Sequence, residues 1–257
     1  MNSPQKIHHY LGIDLGSSYT KFAVVDDNST MIHKQVIPSL SRRRENFNDV
    51  LSSVNHLYNI HKVCTTGYGR NSHQGDLQKT ELICASIGVS RSYPERKCII
   101  DIGGEDIKII ESGASGEVLN FHMNDKCSAG TGAFITEIAK KAELEIEEMS
   151  DLARKSNANR IINSFCTVFA KTEILGWKFD GVPIEDIAQG IYLSITDRIG
   201  KMPIPPDLPV FLCGGVVTYH PYMQELLVKN LRLDVQITSE PLFAVANGAA
   251  LLAQSVA

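Results

Sequence analysis

Residues 10–25 read YLGIDLGSSYTKFAVV, in which two apolar segments flank a short turn of Gly and Ser. Because small residues tolerate the tight backbone angles of a turn, this stretch predicts a β-hairpin. Residues 98–110, CIIDIGGEDIKII, repeat the layout, and both segments contain the pattern Asp-x-Gly-x-x-x-x-Lys. The matched positions are Asp14 and Asp101, Gly16 and Gly103, and Lys21 and Lys108. This repeat predicts a duplicated architecture.

The two copies lie far enough apart for each hairpin to begin its own lobe. A further strand follows each hairpin, at residues 31–37 and at 117–122. We expect an α/β fold with a first lobe at residues 1–95 and a second lobe at 96–257, and the boundary lies near Pro94. A C-terminal helix, about residues 241–255, could pack back on the first lobe.

In the second half, predicted strands alternate with predicted helices. Helical spacing is plainest at residues 184–199, where isoleucines recur on one face directly after Pro183. The remaining elements are a strand at 209–213, a turn at Gly214-Gly215, a helix at 221–231 and a terminal helix at 244–253.

The composition excludes several classes of protein. The 257 residues are 43% hydrophobic and 21% charged, which is typical of a globular chain and not of a disordered one. A net charge of −4 and a pI near 6.1 leave no excess positive field for nucleic acid or an anionic membrane surface. No apolar run approaches the roughly 18 residues of a membrane span, and the start, MNSPQKIHHY, lacks the apolar core of a signal peptide. We therefore expect a cytoplasmic protein.

The two turns have the composition of an anion site. Gly16-Ser17-Ser18 and Gly103-Gly104 offer backbone N–H groups and hydroxyls, because Gly lets the chain approach a ligand without a Cβ. Asp14 and Asp101 end the incoming strands, where a carboxylate suits Mg²⁺ that is held through water on a nucleotide phosphate. Lys21 could meet phosphate oxygens. The alternative is a pair of ordinary hairpins with polar turns.

Two further features bear on a nucleotide site. Gly214-Gly215 stands between a strand and a helix, although no Walker-type G-x-x-x-x-G-K-[ST] string is present. Glu105 follows the second turn and could orient an attacking water or the Mg²⁺ shell. It could equally be a solvated acid of the turn.

Six cysteines in a reducing compartment are buried small side chains, redox groups or metal ligands rather than a disulfide scaffold. Cys127 and Cys166 share a local pattern, since each follows an Asn by three residues and precedes a helical segment. Asn is a good N-cap, so each thiol is expected in a first helical turn, which favours a thiolate or an anionic cluster. Two such thiols are half of the set of an iron–sulfur cubane, and a twofold dimer would complete it. The alternative is that they are buried free cysteines, because no C-x-x-C pair is present.

The hairpins and the Gly-Gly turn resemble the actin-like (ribonuclease H-like) ATPase superfamily of sugar kinases, acetate kinase and heat-shock chaperones. There, two hairpins from two lobes hold the phosphates, and a Gly-Gly turn meets the adenosine. The strings GIDLGSSYTK, TGYGR, DIGGEDIK, NDKCSAGTGAF, FCTVFAKTE and LCGGV also resemble, in order, the activator ATPases of 2-hydroxyacyl-CoA dehydratases and benzoyl-CoA reductases. Among them, NDKCSAGTG and CTVFA are the specific strings.

This resemblance implies a homodimer with one [4Fe-4S] cluster between the subunits. ATP would drive single electrons from a donor such as ferredoxin or flavodoxin to an acceptor iron–sulfur dehydratase or reductase. Cys127 and Cys166 match the cluster ligands. The nucleotide-binding positions that the resemblance implies, beyond the two hairpin turns, are Gly130, Thr131, Gly132, Gly214, Gly215 and Val216.

Some positions depart from the family pattern. Glu105 stands where Gln is usual, Lys171 replaces an acid, Tyr219 replaces Asn, and Ala85-Ser86 falls where His-Ala is usual. The partner is therefore open, and the acceptor could instead be a double-cubane protein or a corrinoid protein. Two other functions also remain open: a small-molecule kinase of the same superfamily, in which the cysteines are only core, and a non-enzymatic nucleotide switch.

Overall fold

The computed structural model describes residues 7–39, 45–124, 131–164 and 166–257. The chain folds into two compact units. The first comprises Met1–Glu95, Ser112–Val118 and Phe243–Ala257, and the second comprises Arg96–Glu111 and Leu119–Leu242.

The secondary structure mixes strands and helices throughout the described ranges. The strands are β1 (His9–Leu15), β2 (Tyr19–Asp26), β3 (Met31–Pro38), β4 (Ile60–Thr66), β5 (Leu77–Gln78), β6 (Lys97–Ile102), β7 (Ile107–Ser112), β8 (Val118–Asn124), β9 (Val210–Cys213) and β10 (Val235–Ile237). The helices are α1 (Glu45–Leu57), α2 (Glu81–Ser90), α3 (Gly132–Ala142), α4 (Met149–Lys155), α5 (Thr167–Phe179), α6 (Ile184–Gly200), α7 (Gly215–Tyr219), α8 (Tyr222–Leu231) and α9 (Ala244–Ser255). The predicted α/β class is confirmed.

The first predicted hairpin is confirmed. Strands β1 and β2 pair antiparallel, with Asp14 opposite Lys21. Strand β1 also pairs in parallel with β4, which brings Thr66 beside Asp14. Alternate apolar residues of the two hairpin strands, among them Ile13 and Phe22, are fully buried against α1. The end of β1 is therefore held between a hairpin partner and a parallel neighbour.

The two sheets have the same topology. The first has the order β3-β2-β1-β4-β5, and the second has the order β8-β7-β6-β9-β10 when it is read from its β8 edge. Strand β6 thus occupies the place of β1, and the parallel pair β6 and β9 corresponds to β1 and β4. The duplication that the two Asp-x-Gly segments predict extends to whole sheets.

The helix predicted at residues 184–199 is confirmed as α6. Its isoleucines Ile187, Ile191, Ile195 and Ile199 are buried in the core of the second unit, as their spacing requires.

No helix within the described ranges is long and apolar enough to cross a membrane.

Helix α9 packs on β1, β2, β4 and α2 within the first unit. Its Gln254 Nε2 donates hydrogen bonds to the carbonyl oxygens of Asp26 (3.1 Å) and Asp27 (2.9 Å). The end of the chain is thereby fastened to the loop that joins β2 to β3.

Candidate functional site

In the first unit, Asp14 is a buried carboxylate one residue before the end of β1. Its Oδ2 accepts a hydrogen bond from Lys21 Nζ at 2.9 Å. Its Oδ1 is buried and makes no hydrogen bond within the part of the chain that the structure describes. A buried carboxylate oxygen without a donor is costly, so its environment fits a bound group such as a water of a Mg²⁺ shell.

The turn after Asp14 is supported from outside the hairpin. Ser39 Oγ donates a hydrogen bond to the carbonyl oxygen of Gly16 at 2.6 Å, and Ser39 N donates to that of Ser18 at 3.0 Å. Ser17 is half-buried and Ser18 is exposed. Nothing in the sequence marks Ser39, because its contact depends on where β3 ends relative to the turn.

In the second unit, Lys108 is buried between two carboxylates. Its Nζ lies 2.6 Å from Asp106 Oδ1 and 3.7 Å from Asp101 Oδ2. Asp106 was not among the predicted site residues, although it stands between the matched Gly103 and Lys108. The lysine of this turn is therefore held by two acids of its own hairpin.

The second turn is attached to the start of α3. The backbone N–H groups of Gly132 and Ala133 donate to the carbonyl oxygens of Gly103 (3.0 Å) and Gly104 (2.7 Å). Thr131, the N-cap of this helix, is fully buried. The structure thus brings the predicted Thr131-Gly132 segment to the second turn. Gly130 lies outside the described residues, and Glu105 is exposed on the same turn.

The glycine after β9 also lies at this turn. Gly214 has a φ of +99°, and a Cβ there would lie 2.4 Å from the carbonyl oxygen of Ile102 and 2.5 Å from Asp101 Oδ1. Val216 Cγ2 lies 3.3 Å from the place of a Cβ on Gly132. The predicted two-residue turn needs correction, because Gly214 alone reverses the chain and Gly215 is already the first residue of α7.

A glycine that the site prediction missed occupies the equivalent place in the first unit. Gly67 follows β4 with a φ of +91°, and a Cβ there would lie 2.5 Å from the carbonyl oxygen of Leu15 and 2.7 Å from Asp14 Oδ1. The TGYGR string, residues 66–70, was the available signal. In each unit, the strand that lies parallel to the central strand is followed by a glycine with a positive φ, and this glycine packs over the aspartate of the central strand.

Four of the six cysteines are fully buried: Cys64, Cys84, Cys98 and Cys213. Burial raises the pKa of Cys98 to about 12. Burial also raises the pKa of Cys213 well above its usual range, and the neighbouring Asp101 carboxylate adds to this. Cys98 and Cys213 therefore stay protonated, and burial keeps all four sulfurs from an external metal.

Cys166 is exposed, and it is the N-cap of α5. The prediction that Asn163 caps this helix is wrong, because both Asn163 N and Asn163 Nδ2 donate to Glu173 instead. Asn124 is the last residue of β8, and the helical turn predicted after it falls on residues 125–130, which lie outside the described residues, so that prediction stays untested. Cys127 itself lies outside the described residues.

Helix α5 packs beside α3 in the second unit. Lys171 forms an ion pair with Glu137 across the two helices, and Lys178 Nζ lies 2.9 Å from Glu143 Oε2. Lys171, which departs from the family pattern, therefore has an acidic partner on α3. Within the described ranges, no three His, Cys, Asp or Glu side chains group together as a metal site.

The two sheets have the same topology, and in each of them an Asp near the end of the central strand is followed directly by a turn. This arrangement defines an actin-like ATPase fold. MreB5 of Spiroplasma citri bound to ADP has this fold and superposes with a TM-score of 0.57 at 14% identity, over 98% of this chain and 97% of that one.

The particular family follows from closer relatives. The family model described as the BadF/BadG/BcrA/BcrD ATPase family matches residues 11–253, and the chain belongs to this family. The (R)-2-hydroxyglutaryl-CoA dehydratase activating ATPase of Acidaminococcus fermentans is 34% identical over 254 residues, which are 95% of this chain and 96% of that protein. The activator of the 2-hydroxyisocaproyl-CoA dehydratase from Clostridium difficile, solved with bound ADPNP, superposes with a TM-score of 0.87 at 31% identity, over 96% and 95% of the two chains. The resemblance seen in the sequence is thereby confirmed.

Proposed function

We propose that this protein is an ATP-dependent activator of a partner iron–sulfur enzyme. It would pass single electrons at low potential from a [4Fe-4S] cluster that bridges two copies of the chain. The names of its relatives support the activator role, and the structure solved with ADPNP supports nucleotide binding. A dehydratase, a benzoyl-CoA reductase or a double-cubane protein is the proposed acceptor, and a ferredoxin or flavodoxin is the proposed donor.

The two Asp-Gly turns are the proposed nucleotide contacts. Asp14 and Asp101 would hold Mg²⁺ through water. The buried Asp14 Oδ1, for which the described residues offer no hydrogen-bond donor, supports this assignment. Lys21, at the rim of the first turn, would neutralise phosphate charge. The exposed Glu105 would orient the attacking water.

The cysteines fit a cluster shared between two copies. Four thiols of each chain are buried, which leaves Cys166 and Cys127 as the ligands of one copy. A cubane takes four thiolates, so a second copy related by a twofold axis must supply the other two. Cys166 lies at the N-terminal end of a 13-residue helix, where the positive end of the dipole stabilises an anionic cluster. A bound cluster would supply the one-electron carrier.

The observation that most supports the proposal is the position of α3, which connects the Gly103-Gly104 turn to the helix that begins at Cys166. Its first two N–H groups are bonded to Gly103 and Gly104, and its side packs on α5, whose N-cap is Cys166. A change in how the turn holds phosphate would therefore move α3 and, through it, α5. About 1.4 kcal/mol corresponds to ~59 mV of one-electron potential, so a domain-scale change can shift a potential by a few hundred millivolts.

Iron analysis of anaerobically purified protein tests this function. We expect about four irons per dimer and a brown, oxygen-sensitive chromophore. Cys166→Ser and Cys127→Ser should each abolish the chromophore while ADP binding persists, because the nucleotide turns use neither thiol. Cys98→Ala, which removes a buried thiol, is the matched control and should keep its iron. Protein without iron, or with a cluster that survives both substitutions, would overturn the proposal and favour a small-molecule kinase.

A further inference from the structure

The segment that leads to Cys166 has no regular secondary structure, yet side chains of two helices bind its backbone. Ser194 Oγ on α6 accepts a hydrogen bond from Ile162 N at 2.7 Å. Arg198 Nη2, also on α6, donates to the carbonyl oxygen of Ser164 at 2.6 Å. Backbone groups outside helices and sheets must find such partners when they are shielded from water. This segment therefore has a defined path before it reaches the cysteine.

Glu173 contributes most of the contacts. Both of its carboxylate oxygens lie 3.1 Å from Asn163 N, and its Oε2 also accepts from Ser164 N (3.2 Å) and Ser164 Oγ (3.0 Å). Glu173 lies in the second turn of α5, and helical side chains lean toward the N-terminus of their helix. It can therefore reach back along α5 to the residues that precede Cys166.

Arg198 connects the same segment to α3. Its guanidinium carbon lies 4.6 Å from the centre of the Phe134 ring, so one side chain contacts Ser164 and an α3 aromatic together. A single residue separates Ser164 from Cys166. When Ser164 is held at both its amide and its carbonyl, the position of Cys166 can vary little.

We propose that Glu173 and Arg198 are positioning residues for Cys166, which hold its thiol at the start of α5 before any iron binds. This inference rests on the proposed function in that Cys166 is taken as a cluster ligand. Neither side chain needs to touch the cluster. Partners that orient metal ligands typically change metal retention about 10- to 100-fold when they are removed.

Hydrogen exchange of the iron-free, full-length protein tests the anchoring alone. In Glu173→Gln and Glu173→Ala, the amides of Asn163 and Ser164 should exchange at least about tenfold faster, while the amides within α6 keep their rates. Glu143→Gln is the matched control, since it removes a carboxylate that binds another residue of α5, Lys178. Unchanged exchange at residues 163–164 in both Glu173 variants would overturn the inference whether or not the protein binds iron.

Cluster retention in the iron-loaded dimer tests the consequence. Loss of iron to a chelator should be about tenfold faster in Glu173→Gln and in Arg198→Met, with a shifted electron paramagnetic resonance spectrum, while Arg198→Lys retains part of the wild-type behaviour. A merely structural role would lower the melting temperature and leave the spectrum unchanged, and that result would contradict positioning. If the wild type takes up no iron, the proposed function fails, and the exchange experiment still decides the anchoring.

Discussion

The Asp14 turn and the Asp101 turn share one sequence pattern but use their lysines differently. The Lys21 side chain is 17% exposed and contacts Asp14 at 2.9 Å. The Lys108 side chain is 3% exposed and lies between Asp106 and Asp101. The fifth position after the aspartate accounts for this difference, since it is the exposed Tyr19 in the first turn and Asp106 in the second. The two hairpins therefore share one pattern, but a single different side chain, Tyr19 or Asp106, gives the matched lysines different surroundings.

The comparison indicates separate duties for the two turns. A partly exposed lysine at the rim can meet phosphate, whereas a buried lysine shared by two acids maintains the shape of its own turn. The elements common to both units are the strand-end aspartate and the glycine, Gly67 or Gly214, that packs over it. These common elements are where we expect equal sensitivity to substitution.

The largest difference is expected for the two lysines. Lys108→Met should lower the free energy of unfolding by about 3–5 kcal/mol, because two carboxylates lose the cation buried between them. Lys21→Met should lower it by about 1–2 kcal/mol, because its ammonium is partly exposed and water weakens its ion pair with Asp14. Denaturant unfolding of both variants measures this, and equal losses would show that the two turns are energetically alike.

The aspartates should behave alike in catalysis. Asp14→Asn and Asp101→Asn should each lower the rate of ATP hydrolysis by about 10²–10³-fold, since each removes a negative charge proposed to hold Mg²⁺. Asp76→Asn is the matched control, because Asp76 is a carboxylate of the first unit that pairs with Lys62 and accepts a hydrogen bond from Val63 N. Full ATPase activity in both folded site variants would refute the assignment of the turns.

Substitution of Gly67 and of Gly214 should reduce stability to a similar extent, whereas substitution of Gly215 should not reduce it. Gly67→Ala and Gly214→Ala should each cost about 3 kcal/mol of stability, because a left-handed backbone and a clash with a carbonyl oxygen coincide. Gly215 is helical, and the nearest atom to a Cβ there is Leu242 Cδ1 at 4.0 Å. Gly215→Val should therefore weaken ADP binding without lowering the melting temperature. An unchanged dissociation constant for ADP would remove Gly215 from the site.

The smallest expected effect is a pH dependence of stability that belongs to the second unit. His220 in the second unit is hydrogen-bonded to Tyr192 at 2.8 Å, and burial lowers its pKa to about 4. The unfolded chain, with an ordinary histidine pKa near 6.5, takes up a proton first as the pH falls, so stability falls between about pH 6.5 and 4. The expected loss is about 2 kcal/mol at pH 5 relative to pH 7.

Unfolding of the wild type and of His220→Gln at the two pH values measures this contribution. The difference between pH 7 and pH 5 should shrink in the variant. Hydrogen exchange should place the weakening in the second unit, because no histidine in the described part of the first unit is buried to the same degree. An identical pH dependence in the variant would contradict the assignment to His220.

Local patterns predicted the elements well, and side chains that act between elements were missed. The Gly/Ser turn between two apolar segments in residues 10–25 specifies a hairpin, and the isoleucine spacing of residues 184–199 specifies a helix, because both signals depend on near neighbours in the chain. Asn163 shows the limit. An asparagine side chain suits an N-cap, but the backbone N–H and the side-chain amide of Asn163 donate hydrogen bonds to Glu173, ten residues further along the chain.

The sequence by itself determined the duplicated Asp-x-Gly segments, the α/β class and the two distinctive cysteines, because each is written in contiguous residues. Only the tertiary structure decided that Gly67 and Gly214 cover the two aspartates, that Lys108 is shared by two acids, and that α3 joins the second turn to α5. These relations depend on which strand lies beside β1 or β6 and on which helix packs on which. Such neighbours are set by the burial of apolar faces throughout a unit, which no short stretch of sequence specifies.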